Sequence, residues 1–121
     1  VLVRKSDGTP WFYVDAHPIR VAAFRQVFAH HEQPGGRDDD PVVLVSYNEA
    51  RSYATTRGGR LLTTDEWTSA AATPGFQVAR DLLEWVESPD EKDKLVRQIG
   101  KSVVRPDKPQ KDVTFRMAKQ L

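Results

Sequence analysis

Two short segments limit what this chain can become: Ser46-Tyr47-Asn48-Glu49 and Thr63-Thr64-Asp65-Glu66. In each, a hydroxyl residue is followed three positions later by glutamate, the spacing of a capping box. The hydroxyl accepts an early helical N–H, and the glutamate reaches back to the N–H of the hydroxyl residue. A helix is expected to open at both places. The first carries Ala50, Tyr53 and Ala54 on one face and meets Gly58-Gly59, which suit a left-handed C-terminal cap. The second runs through Trp67, Ala70 and Ala71 and ends near Pro74-Gly75. Ser46, Glu49, Thr63 and Glu66 therefore have structural work before any chemical role.

The rest of the chain is short elements with frequent punctuation. Ser6 to Pro10 is turn chemistry, and Trp11 to Val14 reads as a strand of aromatic and β-branched residues. Ile19, Ala23 and Val27, with Phe24 and Phe28, recur at helical spacing, which predicts an amphipathic helix from Ile19 to His31. Gln33 to Asp40 is a polar loop, and Pro41 to Val45 an apolar run suited to a buried strand or extended segment. Asp81 to Val86 fits strand or helix. Gly100 to Arg105 and Val113 to Ala118 look like strands, with Pro106 and Pro109 between them. Helices early and strands mostly at the ends predict an α+β fold rather than a parallel α/β sheet.

At 121 residues the chain is read as a single domain over residues 1–121. Its 18 Lys and Arg nearly cancel 17 Asp and Glu, which argues against a nucleic-acid partner for the chain as a whole. No apolar run approaches the length of a bilayer span, so no membrane role is expected. The chain has no cysteine, which rules out disulfides, thiolate metal sites and cysteine nucleophiles, and suggests a reduced, cytoplasmic compartment.

Charge is neutral in sum but segregated. Six acids fall between Asp81 and Asp93 against Lys92 alone, and eight bases between Lys94 and Lys119 against Asp107 and Asp112. The bland reading is a solvated acidic turn paired with a basic flank. The functional reading is a partner-binding surface made by Asp90, Glu91, Asp93, Arg105, Lys108, Lys111 and Arg116. On that reading, reversing the charge of Arg105 and Arg116 would abolish capture of the partner and leave unfolding nearly unchanged.

Candidates for catalysis are few. His30 and His31 are adjacent and diverge by about 100° on a helix, with His17 a helix length away, so a shared metal ion is not expected. Asp38, Asp39 and Asp40 lack the alternating spacing of a calcium loop. Glu84 beside Trp85 invites an acid/base role that nothing in the sequence supports. Gly100-Lys101-Ser102 has the tail of a phosphate loop, but Leu95 stands where its first glycine belongs. No catalytic residue, metal site or cofactor is assigned.

The order of segments nevertheless resembles a known family. Phe12-Tyr-Val-Asp15, then Pro41-Val-Val-Leu-Val-Ser-Tyr-Asn-Glu-Ala-Arg-Ser-Tyr-Ala54, then Gly59-Arg-Leu-Leu-Thr-Thr-Asp-Glu-Trp-Thr-Ser-Ala-Ala71 are similar to formylglycine-generating enzymes (sulfatase-modifying factors). Leu83-Glu84-Trp85-Val86 resembles that family's "GNVWEW", Arg97 to Ser102 its "VVRGGSW", and Thr114 to Ala118 its closing "GFRCA". The resemblance implies a C-type-lectin-like α+β fold, with two short helices beside a small irregular antiparallel sheet and Trp67 and Trp85 as core anchors. Replacing Trp67 with alanine should then cost about 3–5 kcal/mol.

The departures bear on function. Family members bind copper through a cysteine pair, which this chain lacks, so their oxidase chemistry does not carry over. The Gly-Asn pair of "GNVWEW", whose Asn helps build a calcium site, is replaced by Asp81-Leu82-Leu83 before Glu84. The stretch from Ala71 to Phe115 is far shorter than in the family, which removes the loops of the catalytic groove. What remains implies a non-catalytic recognition or adaptor domain of a bacterial or phage protein. It would bind a protein partner, or its own parent polypeptide, through the C-terminal half. The alternatives are a small metal-dependent enzyme of the same family and a structural component of an assembly.

Overall fold

The computed structural model describes residues 1–79, 81–87, 95–96 and 111–121, the pair 95–96 by backbone alone. Six strands and three helices follow one another along the described residues. They are β1 (Leu2–Arg4), β2 (Pro10–Val14), α1 (Val21–Arg25), α2 (Tyr47–Thr56), α3 (Thr64–Ala71), β3 (Leu83–Trp85), β4 (Leu95–Val96), β5 (Val113–Thr114) and β6 (Ala118–Gln120). The fold is α+β.

Both capping boxes form. The Ser46 hydroxyl accepts the Glu49 N–H at 3.1 Å, and the Glu49 carboxylate accepts the Ser46 N–H at 2.9 Å. Thr63 and Glu66 repeat this reciprocal pair at 3.2 and 2.8 Å. The end of α2 is as specific as its start. The Gly59 N–H reaches the Ala54 carbonyl and the Gly58 N–H that of Thr55, while Gly58 takes φ +77°. Those are the paired bonds of a Schellman cap. Gly59 is fixed for another reason, since a Cβ there would meet the Ala118 carbonyl oxygen at 2.6 Å. That close approach lets Arg60 and Ala118 exchange backbone hydrogen bonds at 2.9 and 2.7 Å.

The predicted helix from Ile19 to His31 is much shorter in the structure, only Val21–Arg25. Its start is held elsewhere: the Ile19 N–H donates to the Phe115 carbonyl and the Ile19 carbonyl accepts from Val42. No side chain caps it at Arg20. Beyond Arg25 the N–H groups of Gln26 and Val27 turn to carbonyls three residues back, and the segment continues as turns. Its aromatic and β-branched residues are weak helix formers, so packing decides their conformation. Phe24 stacks on Phe28 and Tyr53 at centroid distances of 4.8 and 5.6 Å. The run from Pro41 to Val45 makes one bridge, to Arg20, and then breaks at Leu44, which takes φ +58°.

The strands form two three-stranded sheets rather than one antiparallel sheet. One has the order β1-β2-β6 and is antiparallel throughout, with Phe12 opposite Gln120 and Val14 opposite Ala118. The other has the order β4-β3-β5, and its β3–β5 pair is parallel. The expected strand from Val113 to Ala118 is split, because residues 115–117 leave one sheet before β6 joins the other. The expected strand from Gly100 to Arg105 lies outside the described residues.

Two apolar clusters fill the interior. One gathers Val21, Phe24, Val42, Val45, Tyr53, Trp85, Val113 and Phe115 between α1, α2 and the second sheet. The other gathers Val3, Phe12, Val14, Leu62, Trp67 and Val86 between α3 and the first sheet. Trp67 and Trp85 are both buried, but their indole N–H groups differ. Trp85 Nε1 donates to the Val45 carbonyl at 2.9 Å, whereas Trp67 Nε1 has no hydrogen-bond partner among the described residues.

Candidate functional site

The strongest ionic arrangement among the described residues is internal. Arg116 is fully buried and Glu84 nearly so. Arg116 Nε donates to Glu84 Oε1 at 2.7 Å and Nη2 to Oε2 at 2.8 Å, a bidentate pair. The remaining donors reach backbone carbonyls: Nη1 those of Asp15 and Ala16, both at 3.1 Å, and Nη2 that of Gln77 at 2.7 Å. A guanidinium has five N–H groups, so every one is used. Its carbon also lies 3.7 Å from the Phe76 ring centroid. One side chain thus ties β3, the segment after β2 and the loop before β3 to the strand region between β5 and β6.

This corrects the expected partner surface at one residue, Arg116. Arg116 is not an exposed cation awaiting a partner; its inward position between Phe115 and Met117 places it in the interior, where an unpaired charge would be costly. Lys111 is exposed. Asp90, Glu91, Asp93, Arg105 and Lys108 lie outside the described residues. Glu84, passed over in the sequence, is the counter-ion. The signal was present in both segments: a lone charge within a short, mostly apolar run, Leu82 to Val86 and Val113 to Ala118. In the sequence the neighbouring acids and bases hid it.

Arg116 also borders a surface where charged side chains from distant parts of the chain converge. The segment it pins, Asp15 to Arg20, borders a depression of about 490 Å³ closed by α1, the end of α2 and β6. Buried Ile19 and Tyr53, with half-buried Ala23 and Met117, give it an apolar wall. Arg20, Arg57 and Lys119 are exposed around it. A smaller depression of about 170 Å³ shares His17 and Arg20 with the first and continues past Pro41, Gln77 and Val78. Residues 20, 57 and 119 meet here, a convergence that no local pattern reveals.

Electrostatically the groove is lopsided. Among the described residues Arg20 and Lys119 have no carboxylate within ion-pair distance. Arg57 donates to the Gln26 amide oxygen and lies over the Tyr53 ring, again without a carboxylate. Asp15 is the acid nearest the floor, and its Oδ2 accepts the Met117 N–H at 3.0 Å. Burial pushes the Asp15 carboxyl up, against the pull of that N–H and of His17 and Arg116. His17 donates from Nδ1 to the Pro18 carbonyl at 2.8 Å. His31 contacts the Gln33 amide oxygen through Nε2. Among the described residues no three histidine or carboxylate side chains group as metal ligands.

Glu66 offers the opposite electrostatic case. Burial alone would raise its carboxyl, but the bidentate Arg60 guanidinium at 2.7 and 2.8 Å and the Thr63 donors outweigh burial and hold it below the ordinary range. A carboxyl held low stabilises the fold above its unfolded value, and that stability is lost as pH falls through the folded value. Asp15, held high, does the reverse: its ionisation weakens the fold increasingly as pH rises from 3.8. Glu66→Gln should therefore flatten the loss of stability below pH 4.5. Asp15→Asn should match or exceed the parent at neutral pH, with the difference vanishing on acidification. Urea unfolding across this range checks both, and a Glu66→Gln acid limb as steep as the parent's would refute the first.

Comparison with known proteins adds one finding. A family model described as a sulfatase-modifying factor enzyme 1-like domain matches residues 9–121. No curated protein matches the chain.

Proposed function

Since the chain belongs to the sulfatase-modifying factor enzyme 1-like domain family, its function turns on what it keeps of that family, and we propose that it is a non-catalytic recognition or adaptor domain. One observation carries the reading. Each buried carboxylate or guanidinium among the described residues is taken up by structure: Glu66 by its cap and Arg60, Glu84 and Arg116 by each other. Three cations without a carboxylate partner among the described residues, Arg20, Arg57 and Lys119, stand exposed around the groove beside His17. A copper site of the family's thiolate kind does not fit, because its donor atoms are missing from a chain with no cysteine. The calcium site fits no better: Leu83 is buried at the equivalent stretch, and Glu84 is held by Arg116. We read the scaffold as C-type-lectin-like, an architecture that presents a loop-built surface on a fixed core.

The test joins two measurements on the purified chain. Incubated with a cysteine-containing sulfatase-type peptide, copper and oxygen, the protein should leave the peptide mass unchanged. Metal analysis should find no stoichiometric copper, iron or calcium. Conversion of the peptide cysteine to an aldehyde, or a stoichiometric metal, would overturn the non-catalytic reading. A stable homo-oligomer by light scattering would favour a structural part of an assembly instead.

A further inference from the structure

From the groove's shape and charge we infer that its occupant is an extended acidic peptide segment of a partner protein, an inference that rests on the recognition reading above. The two depressions adjoin at His17 and Arg20, with apolar side chains at the far side of each. One end is walled by Ile19, Ala23, Tyr53 and Met117; the other offers Val78, an exposed apolar side chain at 39% accessibility. Arg20 lies between them, with Arg57 and Lys119 along the wider end. This order matches a peptide that seats an apolar side chain at one or both ends and places carboxylates against the cations between. Clustered arginines are a recurrent way of reading acidic motifs, because the guanidinium offers a planar fork to a carboxylate.

Two carboxylates border the trough, exposed Asp39 at the narrower end and Asp15 at the wider, against the three cations Arg20, Arg57 and Lys119. Of the two, Asp15 is the one set among all three cations. Its carboxylate is engaged by the Met117 N–H, and burial favours its neutral form. A compact anion would fill only one part of the trough and leave both apolar ends wet. A single-stranded nucleic acid fits poorly too. It needs aromatic faces open for stacking, and Tyr53 is only 3% exposed with Arg57 over its ring.

The experiment is an NMR titration of the whole chain with three synthetic peptides. One has a leucine flanked on both sides by glutamates, one replaces the glutamates with glutamines, and one replaces them with lysines. The acidic peptide should shift the amide signals of Ala23, Tyr53, Met117 and Val78, with an affinity that falls as salt rises. Arg20→Glu combined with Lys119→Glu should weaken it at least about tenfold at an unchanged melting temperature, since both side chains are exposed and unpaired. Absence of shifts at those four residues, or undiminished binding by the double variant, would overturn the inference. So would equal binding of the glutamine peptide at the same residues, although that result leaves the recognition reading standing. An oligothymidylate that displaces the acidic peptide would replace it with a nucleic-acid ligand. Failure of the recognition reading itself shows separately, as turnover of the thiol peptide.

Discussion

Arg116→Leu is expected to remove about 3–5 kcal/mol of stability, a large share of what a domain of this size holds. The change strands the Glu84 carboxylate in the interior, where it is 2% exposed. It also takes the donors from the carbonyls of Asp15, Ala16 and Gln77. Glu84→Leu should be costly for the mirror reason, because it leaves a buried guanidinium without its counter-charge. Combining Arg116→Leu with Glu84→Leu removes both charges, so it should cost less than the two single changes together. It should not return to the parent value, since three carbonyls still lack partners. Denaturant unfolding of the four proteins gives the cycle directly. A loss under about 1 kcal/mol for Arg116→Leu would mean that water reaches the pair. The expectation drawn from charge segregation, that reversal at Arg116 leaves unfolding unchanged, is thereby inverted.

Trp85→Ala is expected to cost about 3–5 kcal/mol, the usual range for emptying a large aromatic site. Trp85 is 1% exposed, meets Tyr47 edge-on at 5.9 Å and donates to the Val45 carbonyl. Comparison of phenylalanine variants isolates the hydrogen bond. Trp85→Phe loses a bonded indole N–H, while Trp67→Phe removes one that has no partner among the described residues. Trp85→Phe should therefore be the more destabilising of the two by about 1 kcal/mol. Equal losses would show that packing volume alone sets both values. Thermal unfolding followed by near-ultraviolet circular dichroism would report the difference and confirm that each variant is folded.

The sequence was most informative where structure is local. Ser46, Glu49, Thr63 and Glu66 sit three residues apart in pairs, so hydrogen-bond chemistry alone placed the starts of α2 and α3. Gly58 and Gly59 likewise placed the end of α2. Periodicity failed at Ile19 to His31, because an apolar repeat says which residues face inward but not whether the backbone stays helical. There the backbone groups of Ile19 are claimed by Phe115 and Val42, both distant in sequence. The Glu84–Arg116 pair was hidden for the same reason. Each partner sits in its own charge-rich stretch, and only the β3–β5 pairing, with Glu84 opposite Thr114, brings the two together. The groove needs residues 17, 20, 57 and 119 at once, and charge segregation pointed to residues 90–116 instead.

The first sheet has a consequence for how the protein is made. Its central strand, β2, pairs on one side with β1 and on the other with β6, so Phe12 waits for Gln120. A nascent chain leaving the ribosome can cap and wind α2 and α3 early, since their signals are local. The sheet cannot gain its third strand, nor Arg116 reach Glu84, until residues 116–120 have emerged. Until then Phe12 and Val14, both buried in the finished fold, lack the cover of β6. Synthesis that stalls before residue 116 should therefore leave a chain exposed to chaperones and proteases, whereas a pause just after α3 interrupts nothing already closed.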